Sequence, residues 1–294
     1  MIADTLIAGN TGYGCGAVYV NNAYLSECAQ IHRTKIVGNT ALNGTSALSA
    51  DRAVNLVNSD IIGNDSTAET GGGATVSSNY CSDQNSGKIR MTNCRVMDNR
   101  IYNCTAAVAA GPYATFIATN TLVAGNIGVE GPKSGACRAA DFHQSSSVVL
   151  CNCTITGNTT AHAVNAGVSV AENYLNCTKK FVNSIFWGNC GTNGVGSANF
   201  TYVPDAKVPT VVRNTCWPEA PDADGNTNGD PKFRTPRRYR YYPSSTGSCY
   251  GTGDATFWTD DDVDLAGKPR KHDGAVDIGC YSIPPLPGLL LMLK

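Results

Sequence analysis

Asp4-Thr5-Leu6-Ile7-Ala8-Gly9-Asn10 is the stretch whose reading decides the fold. The same seven-residue shape returns as RTKIVGN ending at Asn39, NSDIIGN at Asn64, NCRVMDN at Asn99, NTLVAGN at Asn126, NCTITGN at Asn158 and NSIFWGN at Asn189. The closing asparagines lie 29, 25, 35, 27, 32 and 31 residues apart, and a partial copy, Asn214-Thr215-Cys216-Trp217, stops at Pro218. A period near 30 residues is the mark of a solenoid, in which each repeat stacks on the next.

The aligned columns name the kind of solenoid. Three positions before the closing Asn stand Ile7, Ile36, Ile61, Val96, Val123, Ile155 and Phe186, all apolar. One step earlier the set is mixed: Leu6, Lys35, Asp60, Arg95, Leu122, Thr154 and Ile185. One step earlier still, Thr5, Thr34, Ser59, Cys94, Thr121, Cys153 and Ser184 are all small. Alternation with period two is a strand buried on one face, and the mixed column is expected to face outward. Two further short strands precede each copy, such as Gly73–Val76 and Lys88–Met91. Neither a 3.6-residue period nor a leucine lattice is present. The reading is all-β: a right-handed parallel β-helix of about seven to eight coils, three strands per coil, over 1–217. An irregular C-terminal cap follows over 218–294.

Asn58, Asn93, Asn120, Asn152 and Asn183, six residues before the closing Asn, mark a second corner, with Asp4 and Arg33 there in the first two coils. Asn tolerates the left-handed backbone of a bend, and stacked amides can bond one another along the stack. The N-x-[ST] matches at Asn152 and Asn158 are read as products of the repeat rather than as glycosylation sites.

The composition agrees with many short strands and tight turns: 31 Gly among 294 residues and only 15% charged. A net charge of -1 gives no global reason to expect nucleic acid or an anionic membrane. Thirteen cysteines lack zinc-finger spacing, which leaves either stacked buried thiols or a few disulfides, such as Cys249 with Cys280. No signal peptide opens the chain, and the first residues already belong to a coil. The uncapped edge there would invite end-to-end contact with another β-helix. The apolar tail 289–293 is far short of the ~20 residues that span a bilayer.

Beyond Trp217 the composition changes. Asn228-Gly229-Asp230-Pro231-Lys232-Phe233 resembles the GDPxF element that follows the last coil of bacterial β-helix surface proteins. Asp264-Leu265-Ala266-Gly267-Lys268-Pro269-Arg270 and Val276-Asp277-Ile278-Gly279-Cys280-Tyr281 resemble the closing DxxGxPR and VDIGAYE signatures of the choice-of-anchor Q module. Two positions depart from it: Cys280 stands for the usual Ala and Ser282 for the usual Glu. The resemblance implies export and attachment at a bacterial cell surface.

Three groups of residues are candidate sites. Asp222, Asp224, Asn226, Asn228 and Asp230 have the oxygen density of a calcium loop, though Phe233 stands where an EF-hand needs Glu. A polar turn is the plainer reading. Lys232, Arg234, Arg237, Arg238 and Arg240, interleaved with Tyr239 and followed by Tyr241, could hold a polyanionic glycan by charge and stacking. The alternative is a solvated loop around the helix end. Asp260, Asp261, Asp262 and Asp264 could bind a metal or pair with that basic stretch, and pairing within the cap is the simpler reading. Arg138, Asp141 and His143 could form a catalytic site with Asp51, Arg52 or Glu172 from other coils. No paired carboxylates and no Gly-His-Gly element accompany them. The leading expectation is therefore a non-catalytic exported stalk or adhesin contacting glycan. A polysaccharide lyase or glycoside hydrolase is the alternative, and a purely structural spacer the third reading.

Overall fold

The computed structural model describes residues 1–21, 28–67, 73–79, 87–102, 106–129, 138–160, 166–171, 177–191, 198–202, 210–234 and 241–283. It is a parallel β-helix. Four ladders of parallel strands run the length of the stack, one of eight strands and three of seven. The first ladder runs from Ile2–Ala3 to Val211–Arg213. The second runs from Leu6–Ala8 to Ile185–Trp187 and carries the heptapeptides. The third, only two or three residues wide, runs from Thr11–Gly12 to Cys190–Gly191, just past the Gly-Asn bend. The fourth runs from Val18–Val20 to Phe200–Tyr202. Counted as one bent strand, the second and third make the three strands per coil that the repeat implies.

The inward columns stack in register. Ile36, Ile61, Val96, Val123, Ile155 and Phe186 are 0–4% exposed. In the first ladder Ile31, Leu56, Met91, Ala118, Leu150, Phe181 and Val212 also stack in register, at 0–8% exposed. Burying each large apolar side chain contributes about 1.5–3 kcal/mol. At the far end Phe181, Phe186, Phe200 and Trp217 meet edge-on or tilted, at centroid distances of 4.9–6.1 Å. The small inward column turns its hydroxyls back on the chain: Thr34, Ser59, Thr121, Ser184 and Thr215 each donate to the carbonyl two residues earlier, at 2.9–3.0 Å. Those buried polar groups are thereby satisfied without leaving their own bend.

Both asparagine columns do what the bends require. Asp4, Arg33, Asn58, Asn93, Asn120, Asn152, Asn183 and Asn214 all have φ between 46° and 53°. The closing asparagines form an unbroken ladder. Asn10, Asn39, Asn64, Asn99, Asn126 and Asn158 each donate Nδ2 to the next Oδ1 at 2.8–3.0 Å. Asn189 passes the ladder to Asn199, ten residues on in sequence. The amides of Asn152 and Asn158 are 0% and 1% exposed and fully engaged, as the structural reading of those two motifs requires.

The C-terminal segment does two things. Among the described residues, those up to about 229 close the end: Thr227 bridges Cys216, and Ala220 joins Trp217 in the core. Beyond it the chain, over the described residues 230–234 and 241–283, folds back along the side of the helix. Its docking rail is the left-handed asparagine corner. Asn120 donates to the Val263 carbonyl, Asn152 to those of Asp277 and Gly279, Asn183 to Asp254 and Asn214 to Thr252, all at 2.9–3.1 Å. The mixed outward column of the second ladder is the surface it covers. Leu6 is 66% exposed, whereas Leu122, Thr154 and Ile185 are 0–1% exposed.

Candidate functional site

In the fourth ladder the register aligns one outward column: Tyr19, Ser49, Ser77, Ala109, Asp141, Ser169 and Thr201. Beside it, the residues just past each strand make a second, Asp51, Asn79, Gly111, His143 and Ala171, each donating its backbone amide to the preceding coil. Strands stack at ~4.8 Å, so the seven residues make a polar strip roughly 29 Å long.

The strip is hydrogen-bonded at its near end. The Tyr19 hydroxyl donates to Asp51 Oδ2 at 2.5 Å, and Asn79 Nδ2 donates to both Ser49 Oγ and Asp51 Oδ1 at 2.7 and 2.8 Å. Ser77 Oγ donates to Asn79 Oδ1 at 2.7 Å. At Ala109 and Gly111 the side chains fall away. There the surface sinks into a cleft of about 320 Å³, walled by Arg138, Asp141 and His143 and floored by Ala110 and Phe142.

The structure thus brings together the three residues singled out in the sequence. Arg138 Nη1 lies 2.9 Å from Asp141 Oδ1. Burial raises the Asp141 carboxyl above the usual carboxylate range, against the opposing pull of Arg138. Burial also lowers the His143 imidazole, opposed by Asp141 and reinforced by Lys179. His143 Nδ1 accepts the Ser145 amide at 3.3 Å, which leaves Nε2 as the donor of the neutral ring. Lys179 is itself 2% exposed and donates to the carbonyls of Ala171 and His143, which fixes the cleft rim. Neither Asp51 nor Arg52 joins this cleft. Asp51 sits three strands away, ~14 Å at the strand spacing. Glu172 lies outside the described residues.

Comparison with protein-family models, with curated proteins and with solved structures finds no match.

The other candidates are placed differently. Arg237, Arg238, Tyr239 and Arg240 lie outside the described residues. Lys232 is exposed, and Arg234 donates its backbone amide to Tyr242. Tyr241, expected as a stacking platform, is 6% exposed and packs with Leu122 and Tyr281 in the docking interface. In the candidate calcium loop two of the five side chains are engaged by the backbone. Asn226 spends its amide on Thr215 N and the Val212 carbonyl, and Asp230 accepts the Lys232 amide. Among the described residues no three His, Cys, Asp or Glu gather as a metal site.

Among the described residues the acidic run bonds within its own module. Asp264 accepts the amides of Ala266, Lys268 and Ser282, Asp262 accepts Thr259, and Asp260 lies 3.5 Å from Lys271. Arg270, 0% exposed, bonds Asn120 and Ser282 and faces Trp258. The residues that carry the family resemblance therefore hold the module to the corner rail.

Sequence reading missed the polar strip itself. Its members lie 28 to 32 residues apart, but no Gly-Asn anchor flanks them, and a slip of one residue exchanges inward for outward. Only the pairing register separates the two.

Proposed function

We propose that this chain is an exported bacterial surface protein that holds a linear glycan along the polar strip of its fourth ladder. The observation that supports this reading is the in-register outward run from Tyr19 to Thr201, with one cleft set into it. Hydroxyls, amides and one ion pair in a row suit a neutral or weakly charged polysaccharide, whose hydroxyls both donate and accept. The resemblance of the C-terminal module to choice-of-anchor Q supports surface attachment. Among the described residues no helix is long and apolar enough to cross a membrane.

A hydrolytic reading is weaker, because a two-carboxylate mechanism needs groups about 5–9.5 Å apart and Asp51 stands farther than that from Asp141. Proton abstraction by a single buried carboxylate, as in a lyase, is favoured by the raised Asp141. A panel of neutral and acidic polysaccharides separates these readings when binding and depolymerisation are followed together. Glycan retention that weakens about 10-fold or more in Asp141→Ala, without chain cleavage, supports the binding role. Cleavage abolished by the same change establishes the enzyme instead, and no retention of any polysaccharide sinks both.

A further inference from the structure

Cys216, in the last partial coil, and Cys249, in the folded-back module, are both 0% exposed and share one buried cluster with Ile185 and Ile278. Both sulfurs lie 3.9 Å from the one hydroxyl of Ser248. Ser248 Oγ and Cys216 Sγ both turn to the Gly229 carbonyl, at 2.6 and 3.4 Å, so the group is held on one fixed point. Cys280 belongs to a different cluster, with Leu122 and Tyr281.

We propose that Cys216 and Cys249 are a redox site, whose disulfide bolts the C-terminal module to the end of the β-helix. This stands apart from the glycan reading. The bond forms by exchange with a low-molecular-weight disulfide. The thiolate of one cysteine attacks the oxidant and releases one thiol. The second cysteine, also as thiolate, then displaces the other thiol from the mixed disulfide. Two protons and two electrons thus leave the protein, and the oxidant departs as two thiols. Because both sulfurs are sealed once the module docks, the exchange belongs to folding, and the finished bond is shielded from reductant.

The test uses the full chain, refolded once in a glutathione redox buffer and once with excess dithiothreitol, then alkylated in denaturant and mapped by peptide mass. The expected result in the glutathione sample is one cross-linked peptide pair joining Cys216 to Cys249, lighter by about 2 Da than the two free thiol peptides. Cys94, Cys153 and Cys280 are expected to be alkylated in both samples. Alkylation of both Cys216 and Cys249 after glutathione refolding overturns the proposal, and so does a cross-link from Cys249 to Cys280. The oxidised form should melt several degrees above the reduced form. That difference should vanish in Cys216→Ser and persist in Cys280→Ser. Should either variant fail to fold, the peptide map of the unmodified chain still decides.

Discussion

At Asn126 a single amide serves three coils. Its Nδ2 donates to Asn158 Oδ1 and the Val96 carbonyl, while its Oδ1 receives both the backbone and side-chain N–H of Asn99. Asn126→Ala strands those partners in a dry interior and is expected to cost about 2–4 kcal/mol, read as a lowered unfolding midpoint. Asp98 makes the opposite case. It holds the left-handed bend, at φ 54°, where six other coils have Gly at φ 61–67°. Asp98→Gly should stabilise by about 1 kcal/mol, measured by denaturant titration, because a Cβ is disfavoured in that region. In the cleft, Arg138→Ala removes the charge that opposes burial at Asp141, so that carboxyl should titrate higher still, as carbon NMR can follow. The folded chain then holds a proton that the unfolded chain has released. Stability should therefore fall as pH rises from about 4 through the folded-state value, and fall further in the variant than in the unmodified protein.

Strands and bends were legible because each is decided locally. Period-two alternation and a left-handed Asn or Gly report themselves within seven residues. The mixed outward column of the second ladder was not legible, for its members are alike in sequence position and unlike in surroundings. Leu6 meets solvent and Leu122 meets Tyr241, Leu265 and Tyr281. The pair supplies a clean comparison: Leu6→Ser should shift stability by less than about 0.5 kcal/mol. Leu122→Ser should loosen the module, at a cost of about 2 kcal/mol or more, seen as faster proteolysis within 230–283. Equal effects at both positions would contradict the docked arrangement. The cleft was half legible. Arg138, Asp141 and His143 lie close in the chain, whereas the strip that gives the cleft its neighbours is assembled across coils.

Taken whole, the molecule is a stack with a strap. Its core depends only on neighbouring coils, and its last 50 or so described residues run back over coils laid down earlier in the chain. Burial pushes the thiols of Cys94 and Cys280 up to about 12, one inside the stack and one beneath the strap. Both should resist alkylation in the native protein and react once it unfolds. The sequence by itself determined the parallel β-helix, its corners and its inward face, because those follow from short-range periodicity and the backbone preferences of Asn and Gly. Tertiary structure alone decided which outward residues remain outward. Where the strap lies, and which polar side chains align into a strip, depend on register and docking between segments up to 170 residues apart, as in the bond from Arg95 to the Leu265 carbonyl, and no local pattern encodes such pairings.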